Sequence, residues 1–486
     1  MSKHYRLLIG GEWVDGANGT YSIVNPATEE IVGEAPEASV DQALAAARAA
    51  QEAFPKWAST PPAERARLLD AVTTKLRERA GDLVPLIISE TGATATVGSR
   101  MQVPVAIERF ERYSRGAMKD LNIPLSPSPT QATPLAPGGL IGAVVNRQPV
   151  GVVACISPYN FPLVNMVGKI APALAVGCTV VMKPAPQDPL AVIELAEIMH
   201  EVGFPPGVIN VITSSRPEPS VALTETRDVD MVSFTGSTGV GERIFEAGGK
   251  TMKRLLLELG GKGAGLVLAD ANLDVAVGAI GSVWSFHTGQ ICTAPTRAIV
   301  HRSRYDELVT RLTTYASHLK VGDPTAADTL VGPVISAAQR DRIEGYIAAG
   351  ANEGAEIVVD GRRPAHMDRG FYVAPTLLAN CRQGMTPVQE EIFGPVVVVV
   401  PFDEDDEAIS IANSTDFGLY DYVFSTDSDR AYRTAKQLRS GNVGINTAQR
   451  NHDAPFGGFK MSGVGRDGGD FGMIAYTEMQ TIVWPG

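Results

Sequence analysis

From Val150 onward, short β-branched apolar runs alternate with stretches of 12–15 residues whose apolar positions recur at helical spacing. That alternation is the pattern of β-α-β units in a parallel sheet. The predicted strands are Val150–Ile156, Thr179–Lys183, Val208–Ile212, Met231–Thr235 and Leu255–Glu258. Five strands with four intervening helices predict a doubly wound, nucleotide-binding α/β domain. Upstream, the Ala-rich run Val40 to Phe54 and a second run opened by Pro61-Pro62-Ala63-Glu64 predict helices across 40–120. After Gly261 a second α/β series follows: a strand at Gly265–Leu268, a helix from about Asp274 to Phe286, a strand at Thr296–Val300, a helix near Tyr305–Leu319 and a strand at Val396–Phe402. The stretch 121–146 carries Pro124, Pro127, Pro129, Pro134 and Pro137, which forbids a continuous helix. It and the segment Tyr476–Trp484 alternate apolar and polar positions, so both are expected to pair as edge strands of a small β oligomerisation arm. The expected division is a cofactor domain (1–122 and 147–260), a catalytic domain (261–453) and the arm (123–146 and 470–486).

Composition narrows the function classes. A chain of 486 residues can bury several cores without disulfides or structural metal. Its net charge of −12, with no basic run, argues against nucleic acid or an anionic membrane surface as partner. A small molecule is the expected ligand. Neither long uncharged stretch, 121–146 nor 275–296, is apolar throughout, so no membrane span is expected. Residues 1–16 show no signal-peptide core. The four cysteines, at 155, 178, 292 and 381, have no metal-type spacing, and a reducing cytoplasmic compartment fits them.

Four segments could carry chemistry, and each has a plainer reading. Cys292 lies on a turn just beyond a helix that ends near Gly289; it is a candidate nucleophile or a small buried hydrophobe. His287, five residues earlier, could suggest a Cys–His pair, but nothing in its position aims it at the sulfur. Glu258 closes an apolar strand before Gly260 and Gly261, at the carboxyl end where such sheets bind ligands; it is a candidate general base or an exposed turn residue. Asn160 sits between Pro158 and Pro162, which would fix its amide as an oxyanion donor or simply as part of a turn. The segment Thr235-Gly236-Ser237-Thr238-Gly239-Val240-Gly241 joins a strand to a helix and suits either a pyrophosphate or a tight turn.

Together these segments resemble the aldehyde dehydrogenase superfamily over essentially the whole chain. The motifs run in family order: Asn25-Pro26-Ala27-Thr28, Pro158-Tyr159-Asn160-Phe161-Pro162, Lys183-Pro184, Phe234-Thr235-Gly236-Ser237, Glu258-Leu259-Gly260-Gly261-Lys262, Gly289-Gln290-Ile291-Cys292, Glu391-Ile392-Phe393-Gly394-Pro395, and Pro455 to Gly463. The resemblance implies oxidation of a small aldehyde by NAD or NADP, with Cys292 as nucleophile, Asn160 and the Cys292 N–H as oxyanion donors, and Glu258 activating the water that hydrolyses the thioester. It implies a proton relay at Lys169 and Asp467, the latter position being more often Glu. Cofactor contacts map to Ile156, Lys183, Gly236, Ser237, Gly241, Leu259, Glu391 and Phe393, and a substrate funnel to Phe161, Asn165, Phe286 and Phe456. NAD-preferring relatives commonly carry Glu where this chain has Pro186, so NADP is expected to be tolerated. A homodimer or homotetramer is implied. The competing readings are a CoA-acylating enzyme, against which Glu258 argues, and a non-enzymatic protein that kept the fold, against which the intact Cys292, Glu258 and Asn160 argue.

Overall fold

The computed structural model describes residues 3–361, 363–364 and 367–485. Its first sheet has eight strands, ordered Glu12–Val14, Leu7–Ile9, Ile209–Val211, Thr179–Lys183, Val152–Ile156, Met231–Thr235, Arg254–Glu258 and Gly463–Val464. The central five are the strands expected from the sequence, and they run parallel. In chain order they lie 3-2-1-4-5, so the strand order reverses between Val152–Ile156 and Met231–Thr235. The crevice at the carboxyl ends of those two strands is where this architecture binds ligands.

The strand Val152–Ile156 shows how the sheet is stabilised. Val153 and Cys155 face one buried cluster, with the helix Pro162–Val176, while Val152, Ala154 and Ile156 face another, with the helix Val40–Ala58. Burial on both faces explains the continuous apolar run. The strand starts two residues later than expected. Gly151 turns the chain at φ +127°, and the Val150 N–H bonds the Tyr476 carbonyl instead of the ladder.

The second sheet is ordered Glu356–Val359, Thr376–Ala379, Val396–Phe402, Arg297–His301, Ala264–Val267, Tyr420–Phe424 and Asn442–Ile445, parallel except at Glu356–Val359. Four of these strands have no counterpart in the sequence expectation. Tyr420–Phe424 was obscured by Asp421, a carboxylate inside a buried strand, whose Oδ1 accepts the Ala264 N–H at 2.7 Å. The arm is a three-stranded antiparallel sheet with Gly139–Pro149 in the centre, Ile123–Thr130 on one side and Thr477–Pro485 on the other. No helix among the described residues is long and apolar enough to cross a membrane, and no described group of three His, Cys, Asp or Glu side chains could hold a metal ion.

Candidate active site

The helix Leu273–Ser285 stops earlier than the sequence suggests, and the segment behind the cysteine is a left-handed turn. His287, Thr288 and Gly289 have φ of +51°, +54° and +71°. Two of the three are non-glycine, which costs of order 1–3 kcal/mol each unless neighbours hold them. Thr288 Oγ1 donates to the Gly332 carbonyl at 3.0 Å, and Gln290 accepts the Ile335 N–H at 3.0 Å while donating to the His287 carbonyl at 3.3 Å. Beyond it, the Tyr422 hydroxyl donates to the Thr293 carbonyl at 2.7 Å. The turn re-aims the chain so that Cys292 is half-buried, whereas Cys155, Cys178 and Cys381 are packed into cores; all four thiols are free. Burial, then the nearby carboxyls of Glu391 and Glu258, push the Cys292 thiol up to about 12, opposed by Arg450.

Asn160 is oriented by its own oxygen. Oδ1 accepts the Phe161 N–H at 3.0 Å and Asn165 Nδ2 at 3.3 Å, which turns Nδ2 toward the cysteine loop, where it donates to the Gln290 carbonyl at 2.8 Å. An amide nitrogen has two hydrogens, so one remains for a ligand. Among the described residues no carbonyl accepts the Cys292 backbone N–H.

Glu258 is buried at the end of the strand Arg254–Glu258, and neither carboxyl oxygen has a hydrogen-bond partner among the described residues. Burial, then the negative charge of Asp467, push it well above the usual carboxylate range, against Lys169, Arg450 and Arg466. Gly457 borders it: a methyl group there would come within 2.8 Å of Oε1. Lys169 and Asp467 are thus brought to Glu258 electrostatically but not into contact. Lys169 Nζ donates to Thr235 Oγ1 at 2.6 Å, and Asp467 Oδ1 accepts the Gly468 N–H at 2.7 Å. Among the described residues no hydrogen bond joins either to Glu258.

The switch-point crevice fits a dinucleotide. Ser237 precedes the 12-residue helix Thr238–Gly249 without capping it through its side chain, leaving first-turn N–H groups for an anion. Gly236 and Gly241 leave space that a methyl group would fill against Phe234 and Leu259. Lys183 ends its strand buried, its Nζ on the Ser214 carbonyl at 3.3 Å, and burial lowers it to about 8. Ile156 and Leu259 are buried beside it and the glycine turn, respectively, in the same apolar cluster. Glu391 Oε1 accepts the Gly261 N–H at 2.8 Å. Phe393, in a left-handed conformation at φ +57°, meets Tyr159 edge-on with centroids 5.9 Å apart.

The profile of the aldehyde dehydrogenase family matches residues 13–482. The chain belongs to the aldehyde dehydrogenase family. Betaine aldehyde dehydrogenase from Beta vulgaris chloroplasts is 36% identical, the match covering 98% of this chain and 95% of that protein. The 3-succinoylsemialdehyde-pyridine dehydrogenase of a Pseudomonas species is also 36% identical, over 99% of both chains. Among solved structures, betaine aldehyde dehydrogenase from Staphylococcus aureus in complex with NAD+ superposes with a TM-score of 0.94 at 36% identity, covering 99% of this chain and 94% of that one. The NAD+ complex of a Bacillus cereus aldehyde dehydrogenase gives 0.92 at 35%, covering 99% and 97%.

As an aldehyde dehydrogenase the protein is an oxidoreductase acting on aldehydes. Phe161 lies 5.9 Å from Phe286 between ring centroids, and Asn165 is tied to Asn160 as above. Phe456 is nearly buried beneath the guanidinium of Arg450, 3.8 Å from its ring centroid. Sequence reasoning missed three residues here. Gln339 donates to the carbonyls of Ile392 and Phe393 at 3.1 and 2.9 Å, clamping the left-handed Phe393, and Arg342 donates to the Glu391 carbonyl at 3.0 Å. Both come from a helix more than 40 residues upstream, with no local signal. The third, Arg450, lies in the loop after the strand Asn442–Ile445 and has no local signal.

Proposed function

We propose that the enzyme oxidises an aldehyde to the carboxylic acid with NAD(P)+, and that water takes the acyl group. The observation that carries this reading is the convergence on one half-buried thiol of an oriented amide donor, a free backbone N–H and a buried, unpartnered carboxyl. Cys292 Sγ, as thiolate, adds to the carbonyl carbon, and the oxygen becomes an oxyanion held by Asn160 Nδ2 and the Cys292 N–H. When bound, NAD(P)+ supplies the hydride acceptor that turns the adduct into a thioester. Glu258, basic once ionised because its burial raises its proton affinity, takes a proton from water as that water attacks the thioester carbon; the C–S bond breaks and the thiolate leaves. Lys169 and Asp467 then accept the proton through solvent. The presence of Glu258 favours water over CoA as acceptor.

Lys183 would reach the adenosine ribose, Ser237 with Gly236 and Gly241 the pyrophosphate, and Glu391 the nicotinamide ribose, with Phe393 beside the ring and Ile156 and Leu259 packing under the cofactor. No carboxylate stands at Pro186 to repel a 2′-phosphate, so NADP is accepted beside NAD. Phe161, Asn165, Phe286 and Phe456 line the approach. The arm, with Met479, Ile482, Val483 and Trp484 exposed, supports assembly as a dimer or tetramer. Four free thiols support a cytoplasmic location. The proposed division is 1–122 with 147–260, 261–453, and 123–146 with 470–486; the first sheet also draws in Gly463–Val464, and the arm strand Gly139–Pro149 runs past residue 146.

The test is NAD(P)H absorbance over an aldehyde panel. Cys292→Ala abolishes turnover, and Glu258→Gln releases one burst of NADH per site and then stalls. Full turnover by Cys292→Ala would sink the mechanism.

A further inference from the structure

Among the described residues, the guanidinium of Arg450 stands near the cysteine loop with none of its donors engaged, unlike the neighbouring arginines. Arg109 Nη1 donates to the Val164 carbonyl at 2.7 Å, Arg112 pairs with Asp453, and Arg466 Nη1 donates to the Gly458 carbonyl at 3.1 Å. Arg450 is half-buried, yet among the described residues it makes no hydrogen bond and no ion pair; its contact is the face of Phe456. Withdrawing a guanidinium from water without pairing its donors is costly, so an arrangement that does this is poised for a ligand that pairs them. Stacking on a ring covers the flat face and leaves the edge, where two parallel N–H groups match the two oxygens of a carboxylate. The charges around it come from several elements. Arg109 and the loop's own His452 oppose its charge, while Asp467, Glu258 and the Cys292 thiol attract it. Burial pushes Glu258 well above the usual carboxylate range, Asp453 pairs with Arg112, and Asp467 acts on Arg450 without pairing with it. Arg450 also favours the ionised form of the Cys292 thiol, so its charge is felt at the sulfur.

We propose that the substrate is an aldehyde carrying a carboxylate, a semialdehyde of a dicarboxylic acid, with Arg450 binding the carboxylate while Phe161, Phe286 and Phe456 pack on the methylenes between the two ends. This rests on the aldehyde dehydrogenase reading above. It separates the protein from relatives named for betaine aldehyde, whose quaternary ammonium would meet a cation here.

The experiment compares kcat/KM for the semialdehydes of succinate, glutarate and adipate with their methyl esters and with betaine aldehyde, in the wild type, Arg450→Lys, Arg450→Met and Arg450→Glu. The wild type prefers at least one free acid to its ester by about tenfold or more, through KM. Arg450→Met lowers that acid-to-ester ratio by about 10–100-fold, the cost of losing a charged hydrogen-bond pair, Arg450→Lys retains part of it, and Arg450→Glu shifts preference toward betaine aldehyde. As a readout independent of turnover, glutarate slows iodoacetamide labelling of Cys292 in the wild type but not in Arg450→Met. Equal use of acid and ester by the wild type, or a ratio unchanged in Arg450→Met, overturns the proposal while leaving the dehydrogenase intact. No NADH from any aldehyde overturns the dehydrogenase reading, and this one with it.

Discussion

Around Cys292 the resting electrostatics oppose ionisation: burial comes first, then two carboxyls, with Arg450 the opposing cation. A thiol pushed up to about 12 holds little thiolate at neutral pH, so a ligand that screens the two carboxyls or adds positive charge beside it raises its reactivity. The identities of Cys292, Glu258 and Asn160 were legible because each sits in a short motif whose neighbours are chemically telling. Between the two readings of Glu258, general base or exposed turn residue, the structure gives burial, as an apolar strand ending at two glycines suggests. Arg450 was not, because its meaning depends on Phe456 and on which other cations are already engaged. Pro186 is a residue-scale matter as well. Placing a carboxylate there, as Pro186→Glu, restores repulsion of the 2′-phosphate; we expect kcat/KM with NADP to fall at least tenfold relative to NAD, and an unchanged ratio in steady-state kinetics would remove the argument.

At the scale of elements, motif glycines are where one motif packs on another. A methyl group at Gly261 would come within 2.3 Å of the Cys292 carbonyl oxygen, and one at Gly289 within 2.1 Å of that of Gly394. The left-handed turn His287–Gly289 therefore closes directly on the Glu391-to-Pro395 loop, coupling the Cys292 loop to Glu391 and Phe393. Gly289→Ala has to displace one of them. A shift of about 1 Å can cost about 10²-fold in rate, so kcat falls by that order and the melting temperature drops, read by steady-state kinetics and calorimetry; wild-type kcat would show that the contact is slack. The turn itself was hidden in the sequence, where an uncharged helix and a following Gly imply a simple helix end. Its conformation is set by Gly332 and Ile335, some 45 residues away.

For the whole molecule, the five central strands of the first sheet followed from the apolar periodicity, whereas the second sheet was only partly legible, since buried strands such as Tyr420–Phe424 carry polar positions. The strands that escaped are those added from a distance, such as Gly463–Val464, which caps the first sheet antiparallel to Arg254–Glu258 after the chain has completed the second. The arm's exposed face belongs to this scale. Met479 and Val483 are 66% and 62% exposed and four residues apart, hence on one side of their strand. Met479→Asp with Val483→Asp should lower the mass measured by light scattering to that of a smaller assembly, with helix content retained by circular dichroism. A mass equal to the wild type would clear that face of any role. The arm also carries a clock. Its central strand, Gly139–Pro149, pairs with Thr477–Pro485, so that Arg147 must wait for Thr477, 330 residues later. At about 5–20 residues per second the ribosome takes roughly a quarter of a minute to a minute to deliver that partner. Throughout that interval one edge of Gly139–Pro149 stands open, an unpaired strand edge that has to be kept from the wrong neighbour until Thr477–Pro485 arrives.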